Sequence, residues 1–201
     1  MKATAPVLGL AAVGVGAVAL LVLAGGAGTV VARAAAAGSV GRHFTLAELT
    51  VSDTARRLGL DNTPPSEARA NLERLVRYVL DPLREAVGRP VTITSAYRSP
   101  PVNLAVSGTA IGPHSMGEAA DLMVRGLGAQ DLARLIVGLG VPFDQLIWYA
   151  PERGGHVHVS LTVRHANKRE TLYAPPGEGY RRWSFASGVA VSGVSRGNRS
   201  A

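Results

Sequence analysis

The chain of 201 residues contains no cysteine. Disulfide bonds, thiolate zinc sites and a cysteine nucleophile are therefore excluded. The absence says little about the cellular compartment, because exported proteins need not carry disulfides. The sequence also lacks internal repeats, and its length suits one folded domain with appendages.

Acidic residues are missing from both ends of the chain. Residues 1–42 and 181–201 together hold seven basic residues and no acidic one. The region between them holds 14 basic and 14 acidic residues, so its formal net charge is zero. A nucleic-acid-binding protein would carry its positive charge on the folded domain. We therefore predict no nucleic-acid partner, and expect the basic ends to contact anionic lipid or cell-wall polymer.

Residues 5–32 contain no charged side chain and consist mostly of Ala, Val, Leu and Gly. Such a segment is long enough to span a bilayer and longer than the usual apolar core of a cleaved signal peptide. It is predicted to be an apolar helix, with a buried core helix as the alternative. The predicted organisation is a membrane anchor or export signal over 1–33, a linker over 34–42, the folded domain over 43–180, and a basic, disordered tail over 181–201.

Helical signals come before most strand signals. Thr45 and Glu48 form a capping-box pattern, and a helix is predicted over 67–87 with a bend at Pro82. Further predictions are helices over 100–106 and 129–139, and strands over 91–95, 119–124, 143–149, 156–163 and, at an edge, 171–173. This order favours an α+β fold: a single small domain with a central, mostly antiparallel sheet flanked by helices.

Three residues are candidate metal ligands. His114 lies in a Gly-rich loop, and Asp121 lies within an apolar strand, where an unpaired carboxylate is costly. In the stretch from His156 to Ser160, strand alternation places His156, His158 and Ser160 on one face. Two imidazoles and one carboxylate form a zinc-binding set that leaves a fourth position open, as catalytic zinc sites do.

Asp121 and the His156–His158 pair also have structural interpretations. Asp121 could form a salt bridge with Arg98 or Arg125, and a His-x-His pair can lie on a half-exposed strand without binding metal. Two imidazoles and a carboxylate would also accept several divalent ions besides zinc.

A series of motifs in a fixed order carries a family resemblance. The motifs are His43-Phe44-Thr45, Ser95-Ala-Tyr97-Arg98-Ser99-Pro100, Asn103, His114-x-x-Gly117-x-Ala119-x-Asp121 and His158-Val-Ser160. In this order and spacing, over roughly residues 43–173, the chain resembles the zinc D-alanyl-D-alanine carboxypeptidases and phage-type peptidoglycan peptidases of the Hedgehog-like metallopeptidase superfamily.

The resemblance implies both a site and a reaction. One Zn²⁺ would be held by His114, Asp121 and His158. Arg98 would bind the substrate's carboxylate or the oxyanion formed on attack, while Ser95 and Asn103 would order the substrate-binding loop. Zinc would activate water and polarise the scissile carbonyl of a peptide bond in peptidoglycan stem peptides, in a carboxypeptidase or an endopeptidase reaction.

The general base is where the sequence departs from the family. Well-studied members carry an acidic residue three positions before the last ligand, and here that position is Gly155. Relatives commonly carry a tryptophan two positions before that ligand, where this chain has His156. The family's usual serine two positions before the first ligand is replaced by Gly112. We predict Glu152 or His156 as the base, with Asp144 as a weaker candidate.

Two other functions remain compatible with the sequence. Gly155 favours a catalytically inactive, zinc-stabilised module that binds wall peptides, and a structural component of an envelope or virion assembly is the third interpretation. The expected partners are a peptidoglycan peptide and, through the N-terminal segment, a membrane. The protein is expected to be exported and either membrane-anchored or periplasmic or extracellular. A virion-associated lytic protein is compatible with the same residues. The oligomeric state is left open.

Overall fold

The computed structural model of the protein describes residues 38–184. The predicted anchor or export signal with its apolar helix, most of the predicted linker and most of the predicted basic tail lie outside the described residues. Within residues 38–184, no helix combines the length and the apolar character that crossing a bilayer requires.

The described residues form six α-helices, one π-helical turn, one 3₁₀ turn and six strands. The helices are α1 (Leu46–Thr50), α2 (Asp53–Leu58), α3 (Ser66–Leu75), α4 (Asp81–Val87), α5 (Pro100–Ser107) and α6 (Ala129–Gly138), with the π-helical turn at Val76–Leu80 and the 3₁₀ turn at Pro151–Arg153. The strands are β1 (Val91–Ser95), β2 (Ala119–Val124), β3 (Gln145–Tyr149), β4 (Val157–Ser160), β5 (Glu170–Ala174) and β6 (Arg181–Arg182).

The six strands form one mixed sheet in the order β1-β2-β4-β3-β5-β6. All neighbouring strands are antiparallel except β3 and β5, which run parallel. The predicted α+β fold with a mostly antiparallel sheet is therefore confirmed for the described residues. The predicted edge position of residues 171–173 is wrong, because β6 pairs with β5 on its outer side. The sheet thus continues two residues beyond position 180.

The long predicted helix is interrupted by the π-helical turn. Helices α3 and α4 are continuous through Val76–Leu80, and the N–H of Asp81 donates to the carbonyl of Val76. Pro82 has no N–H, and its ring would clash with the carbonyl of Tyr78 in a regular α-helix. A wider turn just before the proline accommodates both effects, so the predicted bend takes the form of a local π-helix.

The segment before α1 packs against this helix. The backbone N–H groups of Arg42 and His43 donate to the buried carboxylate of Asp81 at 2.8 and 3.1 Å. Thr45 and Glu48 make both hydrogen bonds of the predicted capping box at the start of α1. The carboxyl end of the predicted linker is therefore attached to the folded domain.

Side-chain alternation separates two faces of the central strands. Leu122 on β2 and Val157 and Val159 on β4 belong to the hydrophobic core, where each buried side chain contributes about 1.5–3 kcal/mol. Asp121 and His158 alternate with them and so point to the opposite face. The core also includes helix side chains, namely Leu72, Leu75, Val79 and Leu83 of the long helix and Leu132 and Ile136 of α6.

Candidate metal centre

Asp121 and His158 come together because β2 and β4 are adjacent. The two residues are direct partners in the antiparallel ladder, and Nδ1 of His158 lies 2.9 Å from Oδ1 of Asp121. Both side chains are buried. The pairing places one imidazole and one carboxylate at the centre of the sheet, where neither strand is an edge.

His114 reaches the same point from the loop between α5 and β2. Its Nδ1 lies 2.7 Å from the carbonyl oxygen of Ala96, and its Nε2 lies 3.4 Å from Oδ1 of Asp121. A carbonyl only accepts hydrogen bonds, so Nδ1 carries the proton. Nε2 faces Asp121, and in the neutral ring its lone pair is free to bind a metal ion held between the two side chains. A backbone partner that fixes the tautomer in this way is typical of metal-binding histidines.

The loop that carries His114 is tied down on both sides. The amide of Asn71 on α3 donates to the carbonyl of Met116 at 2.9 Å, and the N–H of Glu118 donates to the carbonyl of Pro113 at 2.8 Å. Gly117 adopts a φ of +70°, and a Cβ at this position would lie 2.1 Å from the carbonyl oxygen of Ala68. Only glycine fits this close approach between the loop and α3.

The geometry of the three residues fits one zinc ion. The ligand atoms of His114, Asp121 and His158 all lie within 4.8 Å of one another, and all three side chains are buried. Two ligands bonded to one tetrahedral zinc at about 2.1 Å stand about 3.4 Å apart. This is close to the 2.9 and 3.4 Å found between Oδ1 of Asp121 and the two imidazole nitrogens. Nitrogen and oxygen donors in this ratio suit zinc.

The charge states of these groups also suit metal binding. Burial would raise the pKa of Asp121, but hydrogen bonds and charge interactions with His114 and His158 hold that pKa well below its ordinary value. Burial lowers the pKa of His158 below its ordinary value, although Asp121 opposes the shift. An ionised carboxylate and a neutral imidazole are the forms that bind a divalent ion.

Arg98 holds the second oxygen of Asp121. Its Nη2 donates to Oδ2 at 2.8 Å, and its Nε donates to the hydroxyl of Ser95 at 2.8 Å. The alternative salt bridge between Asp121 and Arg98 therefore exists alongside the ligand cluster, because the two use different carboxylate oxygens. Among residues 38–184, no group accepts a hydrogen bond from Nη1 of Arg98.

Ser95 and Asn103 have supporting positions. Ser95 is the β1 partner of Asp121 and orients Arg98 through its hydroxyl. The buried amide of Asn103 donates to the carbonyl of Thr109 at 2.8 Å, at the start of the loop that leads to His114. These contacts order the loop and the arginine, and a part of Ser95 and Asn103 in substrate binding stays a prediction.

The two candidate bases lie in the β3–β4 connection but differ in their surroundings. His156 is half-buried and stacks on Tyr149, with ring centroids 4.2 Å apart. Burial lowers the pKa of His156 below its ordinary value, although the charge of Asp121 opposes the shift. The N–H of Tyr149 donates to the carbonyl of His156, so His156 extends the β3–β4 ladder and lies on the same face as His158. Glu152 is exposed on the 3₁₀ turn and makes no hydrogen bond or ion pair with any of residues 38–184.

Asp144, the weaker candidate, is used elsewhere. Its carboxylate accepts a hydrogen bond from the N–H of Lys168 at 3.0 Å and lies 3.7 Å from Nδ1 of His165. Asp144 thereby fastens the segment that follows β4 to the start of β3, which is a structural task.

Sequence reasoning missed a buried carboxylate next to the site. Glu118, only 1% exposed, accepts hydrogen bonds from the hydroxyl of Thr162 at 3.0 Å and the N–H of Val163 at 3.3 Å, and pairs with Arg164 at 2.8 Å. It ties the start of β2 to the residues after β4 and so fixes the register that aligns Asp121. The available signal was a charged residue directly before an apolar strand, but its partner lies 46 residues away.

Comparison with known proteins agrees with this geometry. The sequence model of the family described as peptidase M15 matches residues 42–160, more than half of the chain, and includes all three candidate ligands and Arg98. A search of curated proteins gives no match. Peptidases of this family are zinc-dependent. The chain therefore belongs to the peptidase M15 family of D-Ala-D-Ala carboxypeptidase-like metallopeptidases in the Hedgehog-like superfamily.

Proposed function

We propose that the protein hydrolyses peptide bonds in peptidoglycan stem peptides, as a zinc-dependent carboxypeptidase or endopeptidase of the D-Ala-D-Ala type. The observation that carries the proposal is the convergence of His114 Nε2, Asp121 Oδ1 and His158 Nδ1, with Arg98 beside them. Such a set leaves room for water and substrate at the ion, in contrast to the four protein ligands of a structural zinc site.

The chain's own residues would prepare the reaction. His114, Asp121 and His158 hold the ion, which when bound supplies Lewis-acid chemistry to water and to the scissile carbonyl. Arg98 keeps Asp121 oriented through Nη2, and its Nη1 can donate to a substrate carboxylate or to a developing oxyanion. The backbone of Ala96 fixes the tautomer of His114.

His156 is the better placed of the two candidate bases. Its burial favours the neutral imidazole, which can accept a proton from the attacking water at a ring nitrogen. Glu152 would have to swing in from the exposed 3₁₀ turn. Both residues stay in the proposal, because a loop of this kind can change position when substrate binds.

The substrate and location belong to the same proposal. The uncharged segment over residues 5–32 supports export and attachment to a membrane, which would bring the enzyme to the cell wall. The basic residues at both ends support contact with anionic lipid or wall polymer.

The test is release of D-alanine or cross-link fragments from purified peptidoglycan by the full chain with added zinc. His114→Ala should abolish release, whereas His165→Ala, which changes an exposed histidine outside the cluster, should not. A loss of release in His156→Ala but not in Glu152→Gln would assign the base to His156, and the reverse would assign it to Glu152.

A second candidate function is a zinc-stabilised module that binds wall peptides without cutting them. The observation in its favour is Gly155, which stands at the family's acidic position with a left-handed φ of +56°. Wild-type protein that binds one zinc and sediments with peptidoglycan, yet releases no fragment, would establish this function and exclude the peptidase.

A further inference from the structure

Residues beyond the family match reach back to the β3–β4 connection. Strand β5 pairs in parallel with β3, and the N–H of Ala150 donates to the carbonyl of Ala174 at 3.1 Å. The segment 175–180 follows β5 directly and lies outside the matched residues 42–160. This segment contacts the loop that carries both candidate bases.

Arg153 joins the loop to that segment. Its Nη1 donates to the carbonyls of Pro175 and Glu178, each at 3.3 Å. Its guanidinium carbon lies 5.3 Å from the ring centroid of Tyr149 and 5.9 Å from that of Tyr180, within the range of cation–π attraction. One side chain thus holds both tyrosines and two backbone carbonyls.

The two tyrosines continue this contact towards the metal centre. The hydroxyls of Tyr149 and Tyr180 lie 3.1 Å apart, and the ring of Tyr149 stacks on His156 at an interplanar angle of 15°. The ladder pairs Ile147 with His158, so Tyr149 lies opposite His156 and on the same sheet face as His158. A continuous series of contacts therefore runs from segment 175–180 to the face that carries the metal ligands.

We propose that Tyr180 and Arg153 are positioning residues that hold Tyr149, and through its ring His156, beside the metal centre. The proposal rests on the proposed function, in which His156 takes part in hydrolysis, and it gives segment 175–180 a role in that reaction. A stacked imidazole has fewer rotamers than a free one, and a misplacement of about 1 Å can cost up to about 100-fold in rate.

The first test is Tyr180→Phe, which removes the hydroxyl contact and keeps the ring. We expect kcat to fall about tenfold while KM and zinc affinity stay unchanged, because only the placement of His156 is affected. Tyr78→Phe is the matched control: Tyr78 also has an arginine over its ring, Arg74 at 5.7 Å, but lies on the π-helical turn. An unchanged kcat in Tyr180→Phe would overturn the proposal.

A double-mutant cycle separates positioning from general stability. In the His156→Ala background, Tyr180→Phe should have no further effect on kcat, because the group that Tyr180 positions is gone. The same tenfold loss in both backgrounds would refute a role through His156. Arg153→Ala should behave like Tyr180→Phe in this cycle.

A measurement without turnover distinguishes failure of this proposal from failure of the proposed function. In zinc-loaded full chain, the ring resonances of His156 should shift in Tyr180→Phe, and those of exposed His43 should not. A shift in a protein that cuts no peptide would support the positioning contact and refute the peptidase. Unshifted His156 resonances would overturn the positioning role, whether or not the protein cuts peptides. This measurement also replaces the double-mutant cycle if the rate of His156→Ala is too low to measure.

Discussion

Asp121 and His158 face each other across the two central strands, with Nδ1 of the histidine 2.9 Å from Oδ1 of the carboxylate. The carboxylate's other oxygen is held by Arg98 at 2.8 Å. Oδ1 of Asp121 thus belongs to the ligand cluster, while Oδ2 accepts a hydrogen bond from Arg98. The first two predictions depend on this arrangement.

Zinc should stabilise the wild-type chain through the three ligands. At a free zinc concentration 100 times Kd, the free energy of unfolding is expected to rise by about 2.7 kcal/mol, because the folded state alone holds the assembled site. Thermal melting with zinc and then with excess EDTA measures the change. His114→Ala should abolish the zinc-dependent shift, and His165→Ala should keep it. A full shift in His114→Ala would rule out this ligand set.

Arg98→Ala should weaken zinc binding by about 10- to 100-fold, because loss of a partner that orients a ligand typically costs that much affinity. Competition with a chromophoric chelator measures it. Arg134→Ala is the control, since Arg134 pairs with Asp131 on the exposed side of α6 and should leave zinc affinity unchanged. If Arg98→Ala raised only KM, the arginine would act on substrate alone.

Gly117→Ala should destabilise the fold by several times more than Gly108→Ala. Both glycines have a left-handed φ, of +70° and +76°, so each alanine costs about 1 kcal/mol in backbone strain. A Cβ at Gly108 meets open space, whereas one at Gly117 lies 2.1 Å from the carbonyl oxygen of Ala68. Urea unfolding of both variants gives the comparison. Equal losses would mean that the loop can move away from α3 freely.

Arg164→Ala should lower the free energy of unfolding by about 2 kcal/mol, less than for a fully buried pair because the arginine is half-exposed. The loss leaves the buried carboxylate of Glu118 with only its two remaining donors, from Thr162 and Val163. Chemical denaturation measures the change.

Two comparisons make this prediction specific. In a Glu118→Gln background, Arg164→Ala should cost much less, since a neutral amide does not need the arginine. Arg182→Ala, at an exposed pair 3.4 Å from Glu170, should stay within about 0.5 kcal/mol of wild type. Equal costs of Arg164→Ala in both backgrounds would contradict the assigned pairing.

Local signals in the sequence were enough to predict the elements that carry the ligands. The bounds of β1 and β2 agree with the predicted strands. A β-branched run follows Pro90 in β1, and a short, mostly apolar run follows Gly117-Glu118 in β2. Asp121 was identifiable because a carboxylate inside an apolar strand requires a partner. The cluster of His114, Asp121 and His158 then followed from strand alternation and family spacing.

Features that depend on distant contacts were not predictable. Nothing near Glu118 in sequence indicates Arg164, and nothing near Tyr149 indicates Tyr180. The parallel pairing of β5 with β3 depends on how the chain returns after β4, and no local pattern encodes that path. The sequence could likewise name Arg98 as a partner of Asp121 but could not show that both roles of Asp121 coexist.

The central pairing of β2 with β4 also makes the complete ligand set depend on a long-range contact. Asp121 and His158 are 37 residues apart, and α6 and β3 lie between them along the chain. Closing so long a loop is slow compared with forming a helix or a hairpin. A chain whose β3–β4 hairpin has not yet docked offers at most two of the three donors. Tight uptake of the ion would therefore act as a checkpoint, marking those molecules in which the sheet is complete.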